Sequence, residues 1–523
     1  MKVGVRTTNG VSPWHLWSLW LAATVMAWVP FVITPIPPLG QHFYNIARAD
    51  ILSHPASYAR DFVVRWDLLP DLAMDLTVPW LTKVMPVEWA AWLFTLVELG
   101  LLTSGCVMLS RVANGRWSWL PFSSFLLLYN WILIRGYDNY LFGLGLCVWA
   151  IAVHVALRRA TVARILVSCC TALVIYFSHL FPLAVFALVT GTWELGCLLQ
   201  EEKISGRSLA RHAAASIVPL LLPIVILMHS STGGLHGSIY FGFFHILTKI
   251  GLCIDVLWVG NRASDIAVFA SLSLFIIIGL ILSWWTCKPE FRITIVALPL
   301  VALLAPRDAF ASHGVVERCA LSFAFLFTSL ISVRESAAAP RLRRLGAIAL
   351  VLVFIFRIAT VTQDWRTAKP MIQAYRDTFA SLATGSVLFQ YKQDTTYRSP
   401  RKEPYRWNPY LDKVVALATL DHVLVPDLYL KAGQQPVLYR GENQALRQFQ
   451  EESENGEIEF KADGAMLRAW LTELENRFPN LQSRFSAVYL AVFDPYRRLP
   501  EAVDGWRLVA TLPEHRLYER LPR

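Results

Sequence analysis

The sequence predicts a polytopic α-helical membrane protein of about eleven transmembrane helices, followed by a C-terminal soluble α/β domain. Of its 523 residues, 55% are hydrophobic and only 16% are charged, and the mean hydropathy is +0.44. An ordinary soluble domain carries about 25% charged residues. Apolar runs of the length that spans a bilayer, about 20 residues, recur until about residue 363. Beyond that point the runs shorten and charges become frequent, so the composition excludes an ordinary soluble enzyme and a disordered chain.

The first candidate span runs from Trp14 to about Thr34. It is long and rich in tryptophan, so we interpret it as an uncleaved transmembrane helix rather than a signal peptide. The stretch 239–259 is left out of the count because its aromatic, amphipathic pattern is typical of a helix lying along the membrane surface. Ten further apolar runs begin near Pro86, Trp117, Tyr140, Ile165, Leu180, Ala213, Asp265, Ile293, Cys319 and Leu345.

The basic residues indicate the orientation of these helices. If the N-terminus lies in the cytoplasm, most Lys and Arg of the membrane half fall in connections on the cytoplasmic side, as the positive-inside rule requires. These residues are Lys2, Arg6, Arg111, Arg116, Arg158, Arg159, Arg164, Lys203, Arg207, Arg211, Lys288, Arg292, Arg334, Arg341, Arg343 and Arg344. The net charge of +10 is therefore a signal of topology and not of nucleic-acid binding. An odd number of helices places the C-terminal segment on the far side.

We predict two domains: a transmembrane domain over residues 1–362, with a long first extracytoplasmic loop at 35–85, and a soluble α/β domain over 363–523. All eight cysteines lie in the first domain, so the soluble domain uses no disulfide. In that domain the pattern predicts helices around Asn408–Leu420 and Asp463–Phe478, and strands near Ser386–Tyr391, Ala487–Asp494 and Trp506–Leu512.

The first loop is the most unusual segment, since it is too long for a simple connection. It holds five carboxylates: Asp50, Asp61, Asp67, Asp71 and Asp75. The i, i+4 spacing of Asp71 and Asp75 places both on one helix face if residues 71–76 are helical. Each carboxylate is either part of a solvated surface ion pair or a general base or metal ligand at the membrane surface.

Ionisable residues also occur at the outer ends of the predicted spans: Arg135, His179, Arg318 and Arg357. Side chains that reach from the bilayer to its surface are one explanation. The other is a ring of cations on the same side as the acidic loop, of the kind that binds a lipid phosphate. The sequence has no Walker loop, no dinucleotide-binding fingerprint and no His/Cys zinc spacing, and it predicts no metal site.

Several stretches resemble the GT-C superfamily of membrane glycosyltransferases, and more narrowly bacterial membrane proteins related to family 39 and the mannosyltransferase-like members. They are "PLGQHFYNIARADIL" (38–52), "LLPDLAMDLTVPWL" (68–81), "NYLFGLGL" (139–146), "YFSHLFPL" (176–183), "QDWRTAKPMIQAYRD" (363–377) and "VPDLYLKAGQQPV" (425–437). The resemblance implies transfer of a sugar from a polyprenyl-phosphate donor to a glycan or lipid acceptor outside the cytoplasm. It also implies a multi-pass protein of the bacterial inner membrane with a periplasmic C-terminal domain, acting in the synthesis of envelope polysaccharide.

One position departs from the family pattern, P-L-x-D-x-P-N-H-x-A-R, whose acidic residue is commonly the base. Gln41 stands at that position, and Gln cannot take a proton from a hydroxyl at neutral pH. Either His42 or a carboxylate, Asp50 or Asp75, has taken over this role, or the chain has lost transferase activity. The resemblance further implies that the carrier phosphate is bound by Arg48, Arg135, His179, Arg318 and Arg357.

The leading hypothesis is an inverting glycosyltransferase that uses a polyprenyl-phosphate sugar. Two alternatives remain open: a non-catalytic partner or scaffold of GT-C shape in an envelope-polysaccharide system, and a transporter or polymerase of lipid-linked glycans. The sequence does not specify the sugar, the acceptor, a requirement for a divalent metal, or the oligomeric state.

Overall fold

The structure is a computed structural model that describes residues 12–232, 246–306, 308–309, 312–334, 340–392, 411–454, 464–494 and 502–522. Several residues invoked for topology and for secondary structure lie outside these ranges: Lys2, Arg6, the first part of the 239–259 stretch, and the start of the helix expected around Asn408–Leu420. The described part of that stretch contains one short helix, Ile246–Asp255.

Helical structure overlaps each of the eleven apolar runs. The α-helices are α1 Pro13–Ala27, α2 His42–Ser53, α3 Ala73–Leu81, α4 Val87–Asn114, α5 Trp131–Ile134, α6 Asp138–Ala156, α7 Thr161–Ser178, α8 Leu180–Leu198, α9 Gly206–His229, α10 Ile246–Asp255, α11 Arg262–Ile281, α12 Arg292–Leu304, α13 Val315–Leu330, α14 Pro340–Ala380, α15 Asn443–Glu454, α16 Gly464–Arg477 and α17 Leu481–Arg484. Over the described ranges, seven helices are long and apolar enough to cross a membrane: α4, α6, α7, α8, α9, α11 and α14 from Arg344. The chain is therefore a multi-helix integral membrane protein.

The other four runs form shorter helices for local reasons. The first run gives the 15-residue α1 and then a 3₁₀ turn, Val29–Val32, because Pro30 has no N–H to continue the helix. The third run is divided into a 3₁₀ helix, Leu120–Leu127, and α5, which begins where the Asn130 side chain accepts a hydrogen bond from the Leu133 N–H. The remaining two are α12 and α13.

A four-stranded mixed sheet forms the centre of the C-terminal region. Over the described ranges the strands are β1 Phe62–Val64, β2 Trp285–Cys287, β3 Asp308–Ala309, β4 Ser312–His313, β5 Ile331–Val333, β6 Val387–Lys392, β7 Val437–Tyr439, β8 Val488–Phe493, β9 Trp506–Thr511 and β10 His515–Arg520. The sheet order is β6-β8-β10-β9, with β6 and β8 parallel and the other pairs antiparallel. The three predicted strands are confirmed as β6, β8 and β9, and α16 confirms the second predicted helix. The first appears as a 3₁₀ helix, Leu411–Asp421.

The first loop and the C-terminal region share one hydrophobic core. In it, Phe43 and Met74 of the loop are buried together with Val415 and Leu490 of the C-terminal region. The two parts are also joined by an antiparallel pairing of β1 with β7. Helix α14 continues through residues 362 and 363, so the chain enters the C-terminal region without interrupting the helix. As a result, the first loop packs against both the helical bundle and the sheet region.

Candidate functional site

The candidate site is built around a turn of the first loop, residues 68–74, which carries Asp71. The φ angle of Asp71 is 70°, in the left-handed region that an aspartate seldom adopts. Helix α3 begins only at Ala73, so the condition under which Asp71 and Asp75 would share one helix face is not met. The two carboxylates have different partners: that of Asp75 pairs with Arg48, whereas that of Asp71 lies near His179.

Four main-chain groups of this turn are hydrogen-bonded to the N-terminus of α6 and the C-terminus of α7. The side chain of Asn139 donates to the carbonyl of Asp71 and accepts from the N–H of Met74, both at 2.7 Å. The N–H of Leu72 donates to the last-turn carbonyl of Phe177 at 2.7 Å, and the Tyr176 hydroxyl donates to the Leu68 carbonyl at 3.0 Å. Such anchoring is what maintains a residue in a costly backbone conformation.

The Asp71 carboxylate is partly open to solvent, and we call its surroundings, with His179, Arg48 and Arg318, the recess. The Asp71 side chain is 34% exposed, and its Oδ1 is 3.9 Å from Nε2 of His179. Nδ1 of His179 accepts from the Phe181 N–H, so a neutral His179 carries its hydrogen on the nitrogen that faces Asp71. Burial raises the pKa of Asp71 to about 7, although the charges of Arg48 and Arg318 oppose the rise. A carboxylate with this pKa accepts a proton effectively near neutral pH.

Asp75, one of the predicted bases, forms a buried ion pair with Arg48. Its Oδ1 accepts from Nε of Arg48 at 2.6 Å, and both side chains are buried. Arg48 and Asp75 therefore neutralise each other beside Asp71. Neither side chain is open to a substrate in this arrangement.

His42, a second predicted base, is fully buried on the first turn of α2. Its Nδ1 lies 3.0 Å from Oδ2 of Asp138, the same oxygen that accepts from the Asn45 amide at 2.8 Å. The preceding Gln41 is half-buried, and its backbone N–H donates to the Arg135 carbonyl at 2.8 Å. This close approach requires Gly136, whose φ is 73° and where a Cβ would collide with the backbone nitrogen of His42.

Asp50 lies apart from the Asp71 turn. Residue 50 is two positions beyond Arg48 on α2, about 200° around the helix axis. Its carboxylate accepts from the Tyr58 hydroxyl and lies 3.1 Å from Nδ1 of His54. Tyr58 in turn lines a surface cavity of about 290 Å³ between the first loop and the residues before and after β6.

Three cations surround Tyr137 next to the Asp71 recess. The guanidinium carbon of Arg318 is 4.5 Å from the centroid of the Tyr137 ring. Burial alone would raise the pKa of the Tyr137 phenol, but the charges of Arg135 and Arg318 outweigh it and lower that pKa. Lys413, from the C-terminal region, completes the group: burial and the charge of Arg135 lower its pKa. Arg135, Arg318 and Lys413 form what we call the cation group, a suitable environment for an anion.

Arg357 is engaged elsewhere. Its guanidinium is buried and donates to the Asp265 carboxylate, to the Ser264 hydroxyl at 2.9 Å and to the Tyr129 carbonyl at 2.9 Å, so it stabilises the packing of α11 against α14. Within the described residues, no three His, Cys, Asp or Glu side chains are arranged to hold a metal ion.

The structure thus brings together Asp71, Asp75, Arg48, His179, Arg135 and Arg318, and places Asp50 and Arg357 in other surroundings. Sequence reasoning missed the special position of Asp71 and the participation of Asn139, Tyr137, Lys413 and Tyr429. Burial and then the charge of Asp71 raise the pKa of Tyr429, so Tyr429 lies within electrostatic range of Asp71. The stretches 38–52, 68–81, 139–146, 176–183 and 425–437 each contribute a residue here, and that shared signal could have located the site.

The fold and the site define a multi-helix membrane protein with a polar recess at one end of its helices. No family model matches the chain, and no curated protein matches it. Two solved structures of ArnT from Cupriavidus metallidurans are similar in shape: one bound to undecaprenyl phosphate, with a TM-score of 0.47, and one in the apo state, with a TM-score of 0.49. Each is 11% identical, and the alignment covers 97% of this chain and 98% of the other. Similarity of shape at this level does not transfer an activity.

Proposed function

We propose that the chain is an inverting glycosyltransferase of the GT-C type, which moves a sugar from a polyprenyl-phosphate donor to a glycan or lipid acceptor outside the cytoplasm. The observation that carries this proposal is Asp71: a reachable carboxylate with a pKa of about 7, held in a left-handed turn beside a group of cations. The sequence resemblance supports it independently, because five of the stretches that carry it meet at this recess.

In the proposed reaction Asp71 takes the proton of the acceptor hydroxyl as its oxygen attacks the anomeric carbon of the donor sugar. The new glycosidic bond forms while the bond between that carbon and the phosphate oxygen breaks. Polyprenyl phosphate leaves with the bonding electrons, and attack opposite the leaving group inverts the anomeric centre. Asp71 thereby takes the role for which Gln41 is unsuited, since an amide does not accept a proton at neutral pH.

The cation group would bind the carrier phosphate and stabilise the charge that develops on it as the sugar leaves. Arg135 and Arg318 come from the membrane half, whereas Lys413 comes from the C-terminal region. This origin gives the C-terminal region a direct role in holding the donor. The proposed reaction also requires the site to face the periplasm of a bacterial inner membrane. The N-terminus then lies in the cytoplasm, as the distribution of Lys and Arg favours.

The proposal is tested with the substitution Asp71→Asn, which removes the base but keeps the shape and tolerates the left-handed backbone. Purified protein in lipid vesicles is supplied with radiolabelled short-chain polyprenyl-phosphate sugars and an acceptor glycan fraction. Loss of a general base is expected to lower transfer by about 10²- to 10⁴-fold. Asp50→Asn is the matched control and should stay within about twofold of the unmodified protein, because Asp50 lies outside the recess. Full activity of the Asp71→Asn variant would refute this assignment.

A second function has one observation in its favour, the amide of Gln41 where relatives carry an acid. In that case the chain binds a lipid-linked sugar as a non-catalytic partner, or carries it across the membrane, without making a glycosidic bond. Product analysis distinguishes the two functions: a new glycosidic linkage requires transfer, whereas retention of the intact lipid-linked sugar on the protein or in the opposite leaflet does not. A Gln41→Asp variant that gains transfer activity would identify a chain that has lost its base.

A further inference from the structure

The N-terminus of α6 lies between two elements of the candidate site and is bonded to both. Asp138 holds α2 through His42 and Asn45, as described above. The next residue, Asn139, bonds instead to the Asp71 turn. Two adjacent side chains on one helical turn therefore set the position of the first loop relative to the membrane helices.

Asn139 makes an unusually complete set of contacts with this turn. Its amide nitrogen donates to the Asp71 carbonyl and its amide oxygen accepts from the Met74 N–H, so it bridges the residue before α3 and the first turn of that helix. The Asn139 amide also favours the ionised form of the Asp71 carboxyl and so opposes the rise in its pKa. Asn139 is buried, so water cannot readily replace these bonds once they are lost.

We propose that Asn139 positions Asp71 for sugar transfer, by fixing the main chain of the left-handed turn that carries the carboxylate; this inference rests on the proposed function. A left-handed aspartate is stable only while its surroundings hold it in place. Without the Asn139 bridge the turn relaxes towards an ordinary backbone conformation, and the carboxylate moves relative to the cation group. Asn139 itself does not touch the reacting atoms, so its role is positioning.

The test must separate a displaced carboxylate from a merely weakened fold. The charged and titratable neighbours of Asp71 are Arg48, Asp75, His179, Arg318 and Tyr429, and none of them is altered in the variants. We choose Asn139→Ala, which removes both bonds, and Asn139→Asp, which can still accept from Met74 but no longer donates to Asp71. Asn130→Ala is the control, because Asn130 is also buried and its side chain bonds main-chain groups, three of them, at the start of α5.

The first measurement is an infrared titration of the protonated carboxyl band in the full chain in detergent, with the Asp71 contribution identified by its loss in Asp71→Asn. Loss of the Asn139 amide, which favours the ionised form, should raise the titration midpoint of Asp71 by about one pH unit in Asn139→Ala and leave it unchanged in Asn130→Ala. The shift should be larger in Asn139→Asp, because its new carboxylate also repels the charge of Asp71. The second measurement is the acid limb of kcat/KM for transfer, which should move in the same direction.

The two measurements fail in different ways. If the midpoint of Asp71 is the same in the Asn139 variants as in Asn130→Ala, Asn139 has only a structural role and the inference is overturned. If the midpoint moves but no preparation transfers sugar, the positioning of Asp71 is upheld and the proposed function is the part that fails. The titration needs no substrate, so the position of the carboxylate is tested in either case.

Discussion

Two regions of the membrane bundle combine a carboxylate, histidine and arginine, and they use them in opposite ways. At one end, Glu194 of α8 lies 2.9 Å from Nε2 of His154 on α6 and 3.2 Å from Arg164 on α7. Its second oxygen lies 2.5 Å from Nδ1 of His212 on α9, and the carboxylate is 1% exposed. At the other end, Asp71 is 34% exposed, and the nearest histidine nitrogen is 3.9 Å away.

The difference separates a structural cluster from a chemical one. Every oxygen of Glu194 has a cationic or imidazole partner, so the cluster joins four helices and leaves nothing for a substrate. Asp71 has an unfavourable backbone conformation and a charge that is incompletely compensated. Both features lower stability, and both are common at functional sites. The residue types do not distinguish the two regions. What distinguishes them is whether every carboxylate oxygen has a hydrogen-bond or ion-pair partner.

The largest effect that would sharpen this comparison is on stability. Glu194→Gln should lower the free energy of unfolding by about 3–5 kcal/mol, because removing one member of a buried ion pair leaves Arg164 with an uncompensated charge. Thermal unfolding in detergent measures it. Glu473→Gln is the control, since its pair with Arg477 is exposed and pairs of this kind contribute about 0–1 kcal/mol.

The variants Asp71→Asn and Glu194→Gln together can also contradict the comparison. Asp71→Asn should strongly reduce transfer without lowering the free energy of unfolding, whereas Glu194→Gln should lower the free energy of unfolding and keep transfer when assayed below its lowered melting temperature. If Glu194→Gln keeps its stability but loses transfer, then the Glu194 cluster takes part in function. The number of partners of a carboxylate would then not separate a structural cluster from a chemical one.

The next effect is on pH dependence. Because the pKa of Asp71 is about 7, its ionised fraction falls about tenfold for each pH unit well below 7, and kcat/KM for transfer should fall with it. Folding raises this pKa above its unfolded value, so the contribution of Asp71 to stability is present at low pH and is lost as the pH rises through 7. The unfolding free energy of the unmodified protein relative to Asp71→Asn should therefore decrease between pH 4 and 7. A pH-independent difference would show that Asp71 titrates normally.

The comparison also explains how much of the molecule the sequence could predict. The helices and the strands β6, β8 and β9 follow from apolar periodicity, which is local. The strand β10 was missed because its "HRLYER" segment looks polar, whereas His515 and Arg516 are buried with Leu517 and Tyr518.

At the candidate site, the sequence pointed to the first loop and to ionisable residues at the helix ends, but it could not distinguish among the carboxylates of the loop. What distinguishes Asp71 from Asp75 is a left-handed φ, a bridge from Asn139 and an ion pair with Arg48 that occupies only Asp75. Each depends on contacts between segments distant in sequence. Lys413 joins the site from still further along the chain, and no local pattern marks it.

A smaller effect concerns the phosphate. Lys413→Gln removes one of the three cations beside Tyr137, and we expect about a tenfold loss of affinity for a short-chain polyprenyl phosphate, the value of one partly solvated charge-assisted hydrogen bond. Affinity for the uncharged polyprenol should not change. Lys369→Gln on the exposed side of α14 makes the same change in net charge and should affect neither ligand. Equal losses for the phosphate and the alcohol would mean that Lys413 supports packing and does not bind the headgroup.

The smallest effect addresses the backbone of Asp71 directly. Glycine adopts φ near 70° without steric penalty, so Asp71→Gly should raise the free energy of unfolding by up to about 1 kcal/mol while removing transfer activity. Asp67→Gly in the same loop is the control. Its carboxylate accepts from the Ser231 hydroxyl at 2.6 Å, so loss of the side chain should destabilise the protein slightly. Opposite signs at two positions four residues apart would show that the turn is kept strained for its carboxylate. A destabilised Asp71→Gly variant would show that the side chain of Asp71 itself holds the turn together.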